Sequence, residues 1–431
     1  MIETLLYIGS VTAFLTSMTI GANDVANSFA TSVGAGVLKM RHALVIAAVF
    51  EFLGAFLMGS HVTDTVRKEI VDVDVFLGDP EGLALGMLCA SIATGMWLAL
   101  ATWLKLPVST THSSVGAIVG FSLVYSGTEA VVWDKIGMIV LSWFASPLLS
   151  GILTITLFTV LRAYALKNEH SLRQTFKLMP FVVGLTVAVN VFFIVYKGTP
   201  ALGLKDLDVG EGIGYSLGAG VLFGLTAHFV MKWVFSHKIE KWTEDDLAHI
   251  EEASKDFQQV EIFDPKIEKM FSYLQIFTAC MSAFAHGAND VANSIAPYAT
   301  IVNIWMNGDF SDESVVPLWI LAGGGCGIVL GLALFGRKVI DRMGKELSEI
   351  TATRGFTMEL GASLSVVTAS RLGIPVSTTH CQVGSIVGGA LMDGKKNVDW
   401  KIFGSIVSAW FVTLPVTAGF SALLFWLVRL F

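Results

Sequence analysis

The stretch GANDVANS at positions 21–28 recurs unchanged at 287–294, and PVSTTH at 107–112 recurs at 375–380. The two separations are nearly equal, since 287 minus 21 is 266 and 375 minus 107 is 268. The chain therefore contains two copies of one unit. Polar boxes are costly to keep within apolar, membrane-spanning sequence. Matched boxes in both copies predict a solute site where two repeats meet inside a bilayer.

The composition is that of a membrane protein. Hydrophobic residues make up 54% of the 431 residues, charged residues only 15%, and the mean hydropathy is +0.67. Soluble domains carry roughly 25% charged residues. The net charge of −7 is spread over the predicted loops, with no basic stripe, so we expect no nucleic-acid partner.

Apolar segments predict an all-α polytopic membrane protein with about twelve helical segments. The sequence between Met1 and Gly21 has neither a basic start nor a small-residue cleavage box, so we interpret it as an uncleaved first span. The predicted segments are 4–38, 42–60, 83–104, 108–126, 133–161, 178–197, 212–235, 270–305, 316–336, 356–371, 376–392 and 401–431.

Loop charges predict the orientation, because short loops rich in Lys and Arg stay cytoplasmic. The basic loops are the turn with Lys39 and Arg41 and the stretches 162–177, 337–354 and 395–401. The acidic ones are the loop 61–81 and the turn with Asp309, Asp312 and Glu313. Matching loops of the two copies carry opposite charge, which predicts inverted repeats with both termini external, in the plasma (cell inner) membrane.

We divide the chain into repeat 1 at 1–161, a connector at 162–269 and repeat 2 at 270–431. The connector is expected to contain two further spans and a solvated cytoplasmic helical loop at 236–269, with docking of a regulatory partner there as the alternative. Each repeat is expected to contain a broken helix and a re-entrant hairpin, at 83–126 and 356–392. Prolines 107 and 375 interrupt these pairs beside hydroxyl-rich turns that would otherwise face lipid.

The hydroxyl runs are predicted to bind an anion. A proline followed by Ser or Thr is typical of a helix start, whose free N–H groups and positive dipole end attract anions. Hydroxyls of both repeats could then surround a tetrahedral oxyanion. They belong to Ser109, Thr110, Thr111, Ser377, Thr378 and Thr379. The alternative is that these hydroxyls only stabilise close helix packing.

The GANDVANS boxes are predicted to bind a small cation. Their oxygen ligands are Asp24, Asn27, Asp290 and Asn293. Asp and Asn three residues apart share a helical face, and Gly21 and Gly287 are expected to permit local unwinding that frees carbonyls. The alternatives are that each Asp carries protons or is a buried structural partner of an Asn.

Other ionisable residues lie in apolar sequence without an equivalent in the other repeat. Glu51 and Glu359 are candidates for an accessory cation or proton site, or for caps of a neighbouring helix. His112 and His380 follow the hydroxyl runs, and we expect them to be hydrogen-bonded residues that orient those runs.

The four boxes resemble the signature of the PiT family of inorganic phosphate transporters, over essentially the whole chain. The resemblance implies an inverted-repeat carrier that imports phosphate with a coupling cation, often as a homodimer. It implicates both Ser-Thr-Thr runs and the box residues, with Asn23 and Asn289 assigned to phosphate and the Asp24 and Asp290 groups to sodium. The second repeat departs from the first at Cys381-Gln382, where repeat 1 has Ser113-Ser114.

The sequence thus predicts a secondary active phosphate importer with alternating access, sodium as coupling ion and no other cofactor. Within the same fold, the alternatives are a proton-coupled carrier of phosphate or metal-phosphate, and a sulfate permease. A passive anion channel is the alternative from another class. An enzyme is not expected, because no nucleophile, base or metal-cluster motif is present.

Overall fold

The computed structural model describes residues 1–68, 70–71, 73–196, 208–237, 242–255, 257–308, 316–371 and 376–430. These residues are nearly all helical. Repeat 1 contains α1 (Ile2–Asn23), α2 (Ala26–Gly34), α3 (Met40–Lys68), α4 (Pro80–Trp103), α5 (Thr110–Ser126) and α6 (Trp133–Leu161). The connector contains α7 (Ser171–Tyr196), α8 (Val209–His237) and α9 (Glu244–Ser254). Helix α10 (Pro265–Asn307) begins in the last five residues of the predicted connector, and the rest of predicted repeat 2 contains α11 (Leu318–Gly331), α12 (Arg337–Asp341), α13 (Ala352–Arg371), α14 (Thr378–Leu391) and α15 (Trp400–Val428).

Each of the twelve predicted segments coincides with a helix or with two consecutive helices. Within the described ranges, eight stretches are long and apolar enough to cross a membrane. Helices α5, α10, α13 and α14 are not among them. The all-helical membrane architecture is thereby confirmed.

The two predicted hairpins are present as the pairs α4–α5 and α13–α14. Helix α5 has 17 residues and α14 has 14. At ~1.5 Å per residue they reach only about 26 Å and about 21 Å, less than the roughly 30 Å hydrocarbon core. Their short second helices support hairpins that enter the membrane without crossing it.

Equivalent helices of the two repeats run antiparallel through the centre of the protein. A Cβ on Gly9 would lie 3.0 Å from the Tyr298 ring, and the Ser282 hydroxyl lies 3.4 Å from that of Ser28. The N-terminal part of α1 thus contacts the C-terminal part of α10. Helix α2, which follows α1 in the chain, contacts a part of α10 that lies closer to its N-terminus. This antiparallel packing agrees with inverted repeats.

Gly21 and Gly287 each allow a close contact with a neighbouring helix. A Cβ on Gly21 would lie 1.9 Å from the Ile328 carbonyl oxygen, and one on Gly287 would lie 2.1 Å from that of Glu51. Gly287 lies inside the regular helix α10, so the expectation of unwinding there is wrong, whereas α1 ends at Asn23, two residues after Gly21. The matched contacts also identify Ile328 as the structural equivalent of Glu51.

A Gly21→Val change should destabilise the protein, because a side chain cannot fit between α1 and α11 without separating them. Overpacking of this kind costs about 1–3 kcal/mol or more. Gly404→Val on α15 is the control, since nothing lies within 4 Å of a Cβ built there. Thermal unfolding in detergent should show a lower midpoint for Gly21→Val alone; equal midpoints would contradict the contact.

The predicted helix break is present in repeat 1 only. Between α1 and α2 the chain tightens, with the Asn27 amide donating to the Asp24 carbonyl at 2.9 Å. In repeat 2, α10 continues through Asp290, so the prediction of a second break is wrong. The ring of His286 lies 2.8 Å from the Asp290 carboxylate one turn later on the same helix. This i,i+4 contact supports a regular helix, whereas repeat 1 has Ile20 at the equivalent position.

The repeats interlock instead of packing side by side. Helix α1 packs against α11 and α3 against α10, while α5 packs against α15 and α14 against α6. Each of these four pairs combines helices from both repeats. The repeat boundaries therefore stay a prediction from sequence, and the packed groups cross them.

Parts of the sequence predictions lie outside the described residues. For the orientation they are the turn with Asp309, Asp312 and Glu313 and the side chains of 58–69 and 72–74; for the second hairpin, Pro375; and for the loop 236–269, Lys238 and Lys241. Arg354, counted as a basic loop residue, is fully buried at the start of α13 and paired with Asp393 at 2.6 Å. The external termini remain a prediction.

Candidate functional site

The hydroxyl runs open helices, as predicted. Ser109 caps α5, its oxygen accepting from the His112 amide at 3.2 Å, and Ser377 caps α14, accepting from the His380 amide at 3.3 Å. Serine is a preferred N-cap because its oxygen satisfies a free helix N–H group. Each serine oxygen thus accepts a hydrogen bond from the first turn of its own helix.

The carboxylates of the two GANDVANS boxes meet at one hydroxyl. Thr110 Oγ1 lies 2.8 Å from Asp24 Oδ2 and 3.1 Å from Asp290 Oδ1. Thr379, from the other hydroxyl run, donates to Asp24 Oδ1 at 2.6 Å. Asp24 and Asp290 are 1% and 2% exposed. The structure thus brings together boxes that lie far apart in sequence.

Asn27 and Asn293 orient these carboxylates through their amide nitrogens. Asn27 Nδ2 donates to Asp24 Oδ1, and Asn293 Nδ2 donates to Asp290 Oδ1 at 2.8 Å. Asn293 also contacts the hydroxyl of Thr111 at 3.2 Å. Because nitrogen faces the carboxylate in both cases, the amides position the acidic groups.

His286 is a site residue that the sequence analysis missed. Its Nε2 lies 2.8 Å from Asp290 Oδ2 and 3.7 Å from Asp24 Oδ2, while Nδ1 lies 2.8 Å from Glu51 Oε2. The structure therefore joins Glu51 to the central carboxylates. The signal available in the sequence was a histidine one helical turn before Asp290, without an equivalent in repeat 1.

The cluster has an excess of acidic groups. Among the described residues, His286 is the only basic side chain within ion-pair distance of Asp24, Asp290 or Glu51. Ligand atoms of Asp24, His286 and Asp290 all lie within 4.8 Å of one another, so these three residues could hold a metal ion. Buried carboxylates are costly without opposite charge, and the arrangement therefore favours a bound cation.

A cavity of about 60 Å³ adjoins the cluster. One water molecule needs roughly 10–15 Å³ by this kind of measure, so the cavity has room for a small ion. Its polar lining comes from both repeats and from the connector helix α7. These residues are Asn27, Ser28, Asn190, Ser282, His286, Asn289, Ser363, Thr378 and Gln382. None of these lining residues carries a carboxylate or a permanent positive charge.

The other predicted phosphate ligands separate into different places. Thr378 and Asn289 line the cavity. Asn23 instead holds the tip of the first hairpin, donating to the Leu106 carbonyl at 2.9 Å and accepting from the Val108 amide at 3.0 Å. Of the six hydroxyls, those of Ser109 and Ser377 are helix caps, those of Thr110 and Thr379 contact the Asp24 carboxylate, and that of Thr111 contacts Asn293.

Glu359 forms a second buried acidic group. Its Oε1 accepts hydrogen bonds from Thr31 at 2.5 Å and Ser32 at 2.7 Å, and Oε2 accepts from Thr278. These hydroxyls belong to α2 and α10, and Glu359 is 2% exposed. The group is a carboxylate surrounded by hydroxyl oxygens, a ligand set suited to a hard cation.

The imidazole rings of His112 and His380 contact each other. Their rings are 5.0 Å apart, and His380 stacks on Trp410 at 3.9 Å. No hydrogen-bond partner among the described residues reaches His112 Nδ1 or either ring nitrogen of His380. The expectation of hydrogen-bonded orienting residues is therefore wrong for His380, whose ring packs against aromatic side chains.

Comparison with known proteins gives consistent matches over nearly the whole chain. A chain of Haemophilus influenzae, named provisionally as a phosphate permease, is 36% identical over 99% of this chain and 97% of its own length. The chloroplastic inorganic phosphate transporter 2-1 of Arabidopsis thaliana is 35% identical over 96% of this chain and 70% of its own length. A solved structure described as the sodium-dependent phosphate transporter superposes with a TM-score of 0.85 at 33% identity, covering 99% of both chains.

A family model completes the assignment. The model described as the phosphate transporter family matches residues 20–421, which include all four boxes. The family and the structural neighbour are transporters and not enzymes, in agreement with the sequence prediction and with the apolar helices. This chain therefore belongs to the phosphate transporter family, as an integral membrane protein that transports phosphate.

Proposed function

We propose that this protein imports inorganic phosphate together with sodium, by alternating access. The observation that carries the proposal is the shared contact of Asp24 and Asp290 with Thr110, at 2.8 and 3.1 Å. Two buried carboxylates from opposite repeats, with His286 as their basic neighbour, favour a cation beside them, and the cavity proposed for phosphate adjoins His286 and Asn27. Sodium coupling is further supported by the solved sodium-dependent phosphate transporter, which is 33% identical.

In this proposal the cation binds first. Asp24 and Asp290 supply the charge, Thr110 and Thr379 supply hydroxyl oxygens, and Asn27 and Asn293 hold the carboxylates in place. Once the negative potential is reduced, phosphate enters the cavity beside Thr378 and Asn289. Hydrogen-bond donors without a permanent positive charge bind the anion while allowing it to leave. Glu359, with its surrounding hydroxyls, is the accessory cation site.

In this proposal, movement of the two hairpins gives the site access to each side of the membrane in turn. The pairs α1–α11 and α3–α10 are the stationary part. The hairpins α4–α5 and α13–α14 carry the hydroxyl runs, and each moves with the helix that it contacts through glycines, α5 with α15 and α14 with α6. Movement of one hairpin then opens the site to one side of the membrane. We place the protein in the plasma (cell inner) membrane as a homodimer with external termini, on the loop charges and the family resemblance. Docking of a regulatory protein at 236–269 remains a secondary proposal.

Proton coupling is the second candidate, and His286 is the observation that favours it. The ring connects Glu51 and Asp290, at 2.8 Å on each side. A histidine between two carboxylates can pass a proton from one to the other. A histidine nitrogen also suits a transition metal better than sodium, which keeps metal-phosphate transport as a related alternative.

The test is uptake of radiolabelled phosphate into proteoliposomes, with a sodium gradient and a proton gradient imposed separately. Accumulation above equilibrium with sodium alone supports the proposal and excludes a passive channel. Accumulation with protons alone would replace sodium by the His286 pathway. Competition by sulfate and by divalent metal, run in parallel, distinguishes the sulfate and metal-phosphate alternatives.

A further inference from the structure

The amide group of Asn27 has an orientation that its neighbours fix. Nδ2 donates to Asp24 Oδ1 and lies 3.1 Å from Thr379 Oγ1. Thr379 uses its own hydrogen on Asp24 at 2.6 Å, so its oxygen can only accept from Asn27. Both neighbours require a donor, and the amide cannot be reversed without placing oxygen against a carboxylate. The orientation of the Asn27 amide is therefore fixed, and Oδ1 points away from Asp24 and Thr379.

That oxygen has no hydrogen-bond donor among the described residues. Asn27 is 5% exposed and lines the cavity, yet its Oδ1 is buried and unpartnered. Leaving a buried acceptor unpaired is costly, so a group of this kind indicates a ligand that donates to it. Because Asn27 lines the cavity and Asp24 and Thr379 occupy its nitrogen end, we place such a donor in the cavity.

The two repeats have different residues at one pair of equivalent positions, Ser114 and Gln382. In repeat 1 the Ser114 hydroxyl donates to the Asn293 carbonyl at 3.0 Å. Repeat 2 has Gln382 at this place, lining the cavity, with an Nε2 that is buried and has no acceptor among the described residues. Two residues that line the cavity thus have an unpaired polar atom, an acceptor on Asn27 and a donor on Gln382, and an anion without hydrogen could satisfy only the donor.

We infer that Asn27 selects oxyanions that carry a hydrogen, so that the protein binds hydrogen phosphate or arsenate and rejects sulfate. The inference rests on the proposed function and adds the basis of its selectivity. A hydroxyl of the bound oxyanion donates to Asn27 Oδ1, while its charged oxygens accept from Gln382 and Thr378. Sulfate has no hydrogen at neutral pH, so it leaves Oδ1 unpaired and places a second acceptor against it. Sites built around a ligand hydroxyl discriminate strongly against analogues that lack it.

The experiment varies the ligand before it varies the protein. At mildly alkaline pH, hydrogen phosphate, monofluorophosphate and sulfate are all doubly charged and tetrahedral, but only hydrogen phosphate has a hydrogen to donate. Unlabelled arsenate, sulfate and monofluorophosphate are each tested as competitors of labelled phosphate uptake at saturating sodium. Arsenate should compete as phosphate does. Sulfate and monofluorophosphate should be about 10- to 100-fold weaker.

Three variants then assign the effect to a residue. Asn27→Ala should weaken both anions through the loss of its donor to Asp24, but it should weaken phosphate about 10-fold more than monofluorophosphate, which removes the discrimination. Asn293→Ala is the matched control, because it also loses an amide donor to an aspartate but keeps Asn27; both anions should weaken alike. Gln382→Leu should likewise weaken both alike, since it removes a donor that every oxyanion uses.

Protection of the purified proteins from heat by each anion gives the same selectivity without requiring transport. The inference is overturned if monofluorophosphate protects or competes as well as arsenate in the unmodified protein, or if Asn27→Ala keeps the discrimination. Failure of the proposed function has a different result, namely no accumulation of labelled phosphate at all.

Discussion

An Asp24→Asn variant should lose its response to sodium and at least about 100-fold of its phosphate uptake. The carboxylate accepts hydrogen bonds from Thr110, Thr379 and Asn27, and it lies 3.7 Å from His286. Removing one charge from a buried charged cluster costs about 3–5 kcal/mol, which corresponds to a factor of roughly 100 to several thousand at ~1.4 kcal/mol per tenfold. The measurement is initial uptake rate against sodium concentration.

Asp134→Asn is the matched control, because Asp134 is exposed in the first turn of α6 and far from the boxes in sequence. It should retain the unmodified uptake rate. Thermal unfolding of both variants in detergent shows whether either is misfolded. A folded Asp24→Asn protein with an unchanged sodium response would remove Asp24 from the cation site.

An Arg354→Met variant should be strongly destabilised, by about 3–5 kcal/mol. The guanidinium is fully buried and donates to both oxygens of Asp393 at 2.6 Å. It also lies over the rings of Phe158 and Phe263, at 5.1 and 5.3 Å. The change leaves Asp393 as a buried charge without its partner.

The double variant Arg354→Met, Asp393→Leu should recover much of the lost stability, since it removes both charges. Arg337→Met is the control for loss of a charge, because that side chain is 77% exposed. The comparison is made by thermal unfolding midpoints in detergent. Equal midpoints for Arg354→Met and Arg337→Met would show that the buried pair contributes nothing to stability.

Local features of the fold and site could be predicted from the sequence. The twelve apolar segments and the caps Ser109 and Ser377 depend on neighbouring residues only, and all of them are confirmed. The contact of Glu51 with His286 could not be predicted, because α3 and α10 are separated by most of repeat 1 and the connector. This contact depends on which helices pack against each other in the folded protein. The position of Thr110 between the Asp24 and Asp290 carboxylates has the same dependence.

Two errors have a common physical cause. A glycine in a membrane helix permits either unwinding or a close contact with another backbone. The residues around the glycine in the sequence do not show which of the two occurs. Gly21 and Gly287 have the second role, which only the positions of Ile328 and Glu51 reveal. Identical boxes likewise predicted equal breaks, although the residue four positions before each Asp differs and only His286 contacts its Asp.

The packing of helices from one repeat against helices from the other also bears on the origin of the protein. Helix α1 has its glycine contact with α11, and α10 has the corresponding contact with α3. An ancestor half this size could have covered these faces only by associating with a second copy inserted in the opposite orientation. Gene fusion would then have joined two antiparallel subunits that already depended on each other, and either half expressed alone today would lack the helices that cover it.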